Sequence, residues 1–134
     1  MATISVSLRN VPDTEAAMGW AGGHTVVVDR AERKAGGKGL GFNGGQMLAL
    51  AIGGCFCNDV RYMAEKMGVR IESLSVDVDL ELAGQPMTVI GADVRAHLTL
   101  EGGGDPAELI HQADADSTVG SSVRAGFPVK VTAT

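Results

Sequence analysis

Apolar and polar residues alternate with a two-residue period at Ile4, Val6 and Leu8, which predicts a strand closed by Pro12. Residues 24–30, HTVVVDR, predict a second strand, rich in β-branched side chains. Residues 35–45, AGGKGLGFNGG, hold six glycines in eleven positions, a composition that predicts a loop. From Gln46 to Met67 the period becomes helical. Met47, Ala51, Cys55, Asp59 and Met63 share one stripe, and Leu48, Ile52, Phe56 and Val60 fill the next. Asn43 is placed to cap this helix and Gly68 to stop it. Its first half is apolar nearly all round, so it calls for burial on every side. One small domain cannot supply that much cover, and a second copy of the chain is the expected source.

Two long alternating strands follow. Leu74, Val76, Val78, Leu80 and Leu82 form one dry face, and Ala92, Val94, Ala96, Leu98 and Leu100 form the other. They predict an antiparallel hairpin across the AGQP turn, with acidic residues near Arg95 and His97 on the wet face. Asp105-Pro106-Ala107-Glu108 combines a capping side chain, a proline at the first helical position and a glutamate three residues after the cap. The helix it starts should run to about Ala113. A second short helix, STVGSSVRAG, ends at Gly126. The last segment, FPVKVTAT, alternates again and predicts a closing strand.

Length changes this picture little: 134 residues fit one domain, 1–134, with no linker, repeat or low-complexity tail. Only five aromatic residues are present, so aliphatic side chains must make the core. A net charge of −5 and the lack of any basic run argue against nucleic acid or an anionic membrane as partner. The most apolar window, Met47–Cys57, falls well short of the roughly twenty residues a membrane-spanning helix needs. The N-terminal residues lack the features of a signal peptide, which points to a cytoplasmic protein with reduced thiols.

Chemistry concentrates in GGCFCNDV, where Cys55 and Cys57 are the only thiols. Residues i and i+2 of a helix lie about 200° apart, so the two sulfurs cannot face one pocket. The spacing is also too short for a zinc site, and His24, His97 and His111 form no ligand pattern, so no metal is expected. Buried small apolar groups are the simplest account of both cysteines. A reactive Cys55 needs a cation near its sulfur, because it lies too deep in the helix to use the helix N-terminus. A cation in reach of the sulfur beside an apolar channel would mark chemistry, whereas sulfurs sealed among Leu and Met would mark packing. The glycine loop has neither phosphate-loop nor dinucleotide spacing, so no cofactor is expected, and a mobile connection or pocket lid is the better reading. Asp114 and Asp116 could serve as an acidic pair, but capping of the next helix by Asp116 or Ser117 accounts for the run more simply.

In order and spacing, four stretches resemble the OsmC/Ohr family of osmotically inducible and organic-hydroperoxide-resistance proteins. They are GGKGLGFNGGQML, ALAIGGCFCNDVRYMAEKMGV, SLSVDVDLEL and HQADADSTVGSSVRAGFPVKV, and the resemblance runs from about Gly22 onward. It implies an α+β fold in which a long central helix packs against antiparallel sheets in an intertwined homodimer. It also implies thiol peroxidase chemistry, with Cys55 at the place of the peroxidatic cysteine. A second cysteine would resolve the sulfenic acid formed there, and an arginine and a glutamate would assist. Asp114 stands where the resolving cysteine belongs, Gly45 where the glutamate belongs, and His24 near the place of the arginine. The resemblance therefore implies an atypical peroxidase: Cys55 as nucleophile, Cys57 as a secondary thiol, a protonated His24 as a weak substitute cation, and an external thiol as reductant. Arg30, Arg33, Lys38 and Arg124 are the other cations available to Cys55. The alternative is a non-catalytic dimer that binds a small apolar ligand at its interface, with the glycine loop as its gate.

Overall fold

The computed structural model describes residues 1–134, which fold as two compact units, Met1–Leu48 and Ala49–Thr134. The first unit is a three-stranded antiparallel sheet in the order β1 (Ser7–Asn10), β2 (Ala17–Ala21) and β3 (His24–Val28). β1 starts later than the alternation at Ile4 predicts, and Ile4 is exposed. β2 was not legible, because Ala-Met-Gly-Trp-Ala has neither alternation nor β-branched residues. It is held by its two neighbours, with Gly19 opposite both Leu8 and Val26.

Asp29 follows β3 and organises the glycine-rich segment. The residue is only 4 % exposed, and its carboxylate accepts the backbone N–H groups of Arg30, Lys38 and Leu40 at 2.8, 3.0 and 3.1 Å. Those donors, Leu40 and Lys38 foremost, hold its carboxyl below the usual carboxylate range against the opposing effect of burial. Phe42 completes the closure, since its N–H donates to the Val27 carbonyl at 3.0 Å and its carbonyl accepts from Asp29 at 3.0 Å. At Gly41 an added Cβ would run into the Val27 carbonyl, so the sharp return of the chain needs glycine there.

Helix α1 covers Gly44–Met67. Its start is reciprocal: Gln46 N–H donates to Asn43 Oδ1 at 2.9 Å, and Asn43 N–H donates to Gln46 Oε1 at 3.0 Å. Gly68, with φ of 68°, ends it. In the second unit the hairpin β4 (Ile71–Ala83) and β5 (Thr88–Leu100) pairs Leu74 with Leu98 and Val76 with Ala96. On the wet face Arg95 bridges Asp79 and Asp93 at 2.8 and 2.6 Å, the acidic surroundings its alternation predicted. Helices α2 (Ala107–Asp116) and α3 (Thr118–Ala125) follow. Asp105 accepts the Ala107 N–H at 2.9 Å, and Ser117 caps α3 by accepting the Gly120 N–H at 3.3 Å.

The core of this unit joins Phe56, Val60, Met63 and Ala64 of α1 to Leu109 and Ala113 of α2, against β4 and β5. Gly53 lets α1 approach the sheet, because a Cβ there would lie 2.9 Å from Val78 Cγ2. Two expectations are not met within one chain. The first half of α1 is buried along one stripe only, and Leu50, Ala51 and Gly54 are exposed. The final segment forms no strand, and Phe127, Val129 and Val131 are exposed. A strand needs an edge to satisfy its backbone groups, and this segment pairs with none.

Candidate active site

Cys55 projects from the middle of α1 and is half-buried, with a free thiol. Its thiol donates to Asp59 Oδ2 at 3.4 Å, one helical turn on. The Ser117 hydroxyl donates to Cys55 Sγ at 3.9 Å. Ser117 is 3 % exposed and sits between α2 and α3, so the corner of those two helices is carried onto the face of α1 that bears the thiol. Neither of the two simple outcomes holds: the sulfur is not sealed among Leu and Met, and its two hydrogen-bond partners are a carboxylate and a hydroxyl rather than a cation.

Beside this corner lies a cavity of about 570 Å³. Ile52, Phe56, Val94 and Ile110 form its apolar wall. His111, Asp114, Ser117 and Arg124 line its polar side, and Cys55 itself does not line it. Arg124 Nη2 donates to Asp114 Oδ1 at 2.5 Å across the gap between α2 and α3. Asp116 is taken by Lys66 of α1 at 3.1 Å. The two aspartates expected as a possible pair are thus each matched to a base instead.

Cys57 is also free and half-buried, and no disulfide joins the two cysteines. His24 opens β3 in the first unit, where it lines an apolar cavity of about 240 Å³ with Leu8, Trp20 and Val26. Of the other basic residues offered to Cys55, Arg30 is occupied by the Glu15 carbonyl at 2.6 Å and the Asp29 carboxylate at 3.3 Å. Asp59 and Ser117 were not foreseen as partners of the sulfur. For Asp59 the signal was present, a carboxylate four residues after Cys55 in an otherwise apolar stripe. For Ser117 there was none, since 62 residues separate the two.

A family model described as OsmC-like protein matches residues 36–132, which takes in the glycine loop, α1, the hairpin and both short helices. The chain belongs to the OsmC-like family. Among solved structures, an OsmC-like protein of unknown function from Vibrio cholerae superposes with a TM-score of 0.78 at 14 % identity, covering 91 % of this chain and 94 % of that one. The organic hydroperoxide resistance protein OsmC of Legionella pneumophila gives a TM-score of 0.69 at 20 % identity, over 92 % and 90 % of the two chains. An organic hydroperoxide resistance protein from Elizabethkingia anophelis, with thiocyanate bound, gives 0.68 at 14 %, over 92 % and 89 %. At these identities the likeness establishes the α+β OsmC-like fold. No curated protein matches the sequence. No helix of the OsmC-like chain is long and apolar enough to cross a membrane.

Proposed function

We propose that this OsmC-like protein is a one-cysteine thiol peroxidase, in which Cys55 reduces organic hydroperoxides and an external small thiol restores it. The observation that carries this reading is the polar niche of the Cys55 sulfur, between Asp59 and Ser117 and beside a cavity with an apolar wall. The sulfur attacks the distal peroxide oxygen, the S–O bond forms as the O–O bond breaks, and the products are a sulfenic acid and an alcohol. One external thiol then displaces water to form a mixed disulfide. A second releases Cys55 and leaves as the oxidised disulfide. Inside the chain no second thiol faces the sulfenic acid, because Cys57 lies about 200° round the helix and the residue at the place of the resolving cysteine, Asp114, is a carboxylate paired with Arg124. Two copies of the chain form the working unit in this reading, each covering the apolar residues of α1 and the hairpin that the other leaves exposed.

The test is consumption of cumene hydroperoxide with excess dithiothreitol. Wild type and Cys57→Ser should turn over, and Cys55→Ser should not. Equal, buffer-level rates in all three would end the peroxidase reading. A second reading rests on a different observation, that the cavity wall does not include Cys55. In it the dimer holds a small apolar ligand without chemistry, and a fluorescent apolar probe would bind Cys55→Ser as tightly as wild type, with no turnover in either.

A further inference from the structure

The contact between Cys55 and Asp59 has two opposite consequences. A carboxylate next to a sulfur opposes negative charge on that sulfur. A carboxylate that accepts the thiol proton can also remove it in the step where the sulfur attacks. Asp59 Oδ2 lies 3.4 Å from Cys55 Sγ, within hydrogen-bond reach of the thiol and so in place to take its proton. Ser117 supplies the complementary interaction. Its oxygen accepts from Gly120 N–H at 3.3 Å, and its hydroxyl lies 3.9 Å from Cys55 Sγ, in reach to donate to it. Ser117 is 3 % exposed, so that proton has little access to water as another partner.

We infer that Asp59 is the proton shuttle of the Cys55 reaction and that Ser117 is its hydrogen-bond donor. Together they do the work for which the chain has no arginine–glutamate pair at the sulfur. This rests on the peroxidase reading above. As Cys55 Sγ attacks the distal oxygen of R–O–O–H, its proton passes to Asp59 Oδ2 and the O–O bond breaks. The hydroxyl stays on sulfur as the sulfenic acid, and Asp59 returns the proton to the departing alkoxide. Sulfur loses two electrons, the peroxide gains them, and no net charge is left in the niche. The Ser117 hydroxyl steadies the negative charge that passes through the sulfur during the transfer.

Steady-state turnover of cumene hydroperoxide with dithiothreitol tests the assignment, paired with alkylation of Cys55 by iodoacetamide, which needs no proton returned to a leaving group. Asp59→Asn should lower kcat by about 100-fold, the low end for general acid–base catalysis, with KM for the hydroperoxide little changed. Asp59→Glu should recover much of the loss. Alkylation of Asp59→Asn should fall far less than turnover, because it needs the thiol proton removed but none returned to a leaving group. Ser117→Ala should slow both reactions, by about tenfold for one lost hydrogen bond. Asp59→Asn that turns over as fast as wild type, or faster, makes the carboxylate a mere like-charge neighbour and overturns the shuttle. Equal slowing of both reactions in Asp59→Asn overturns it too, by showing a structural role. Wild type no better than Cys55→Ser removes the peroxidase reading itself, and the shuttle with it.

Discussion

At residue scale, Cys55 and Asp29 show how much one carboxylate can decide. The same group type meets a thiol at Asp59 and serves as a structural clamp at Asp29, and the difference lies in the donors it meets. Asp29 meets three backbone N–H groups, which fix residues 36–42 as a turn closed on β3. Because its folded-state pKa lies below the ordinary value, its contribution to stability is present in full above the ordinary carboxylate pKa. That contribution is lost as pH falls through the lower folded value. Asp29→Asn should therefore unfold at lower urea than wild type at neutral pH, and the gap should narrow toward pH 3 and below. A gap that stays constant across this range would show that the carboxylate charge is not what holds the turn. Ser117 adds a second residue-level expectation through its cap on α3. Ser117→Ala should cost about 0.5–2 kcal/mol, read from chemical denaturation, whereas Ser117→Gly should cost only a few tenths on the capping account.

At element scale, α1 carries two adjacent glycines with opposite roles. Gly53 is buried against β4, and an added Cβ would come within 2.9 Å of Val78 Cγ2. Gly54 faces away, and an added Cβ there meets nothing within 4 Å. Gly53→Ala should destabilise by about 1–3 kcal/mol through overpacking. Gly54→Ala meets no atom of its own chain and should destabilise less than Gly53→Ala. A thermal melt of the two variants checks the pair, and equal shifts would contradict the packing described for α1. The sequence announces two glycines inside a helix but not which one the sheet touches. That depends on the register in which α1 lies on β4 and β5.

At the scale of the whole molecule, the exposed apolar surface needs a physical account. Leu50 of α1 is 53 % exposed, and Leu82, Met87, Val89 and Ile90 near the hairpin tip are exposed as well. Phe127, Val129 and Val131 lie in an extended segment without strand partners. Light scattering should give twice the 13.8 kDa chain mass, and Leu50→Asp should shift the population toward the single chain. A wild-type mass of one chain at micromolar concentration would contradict the dimer in the proposed function.

The sequence by itself determined the elements whose reason is local. Alternation gave the hairpin and its wet face, helical spacing gave α1 with its Asn43 cap, and Asp105 and the pair Asp116 and Ser117 marked the starts of the two short helices. It also placed Cys55 and Asp59 on one stripe, since four residues make nearly one helical turn. Tertiary structure decided what depends on distant partners. It made a strand of Ala17–Ala21 by pairing it on both sides, and it left residues 127–134 without an edge. It brought Ser117 to the Cys55 sulfur and tied Asp114 to Arg124. Spacing along a chain fixes which side chains share a face, but contact between faces depends on how whole elements pack, and the Ser117 contact of Cys55 is of that second kind.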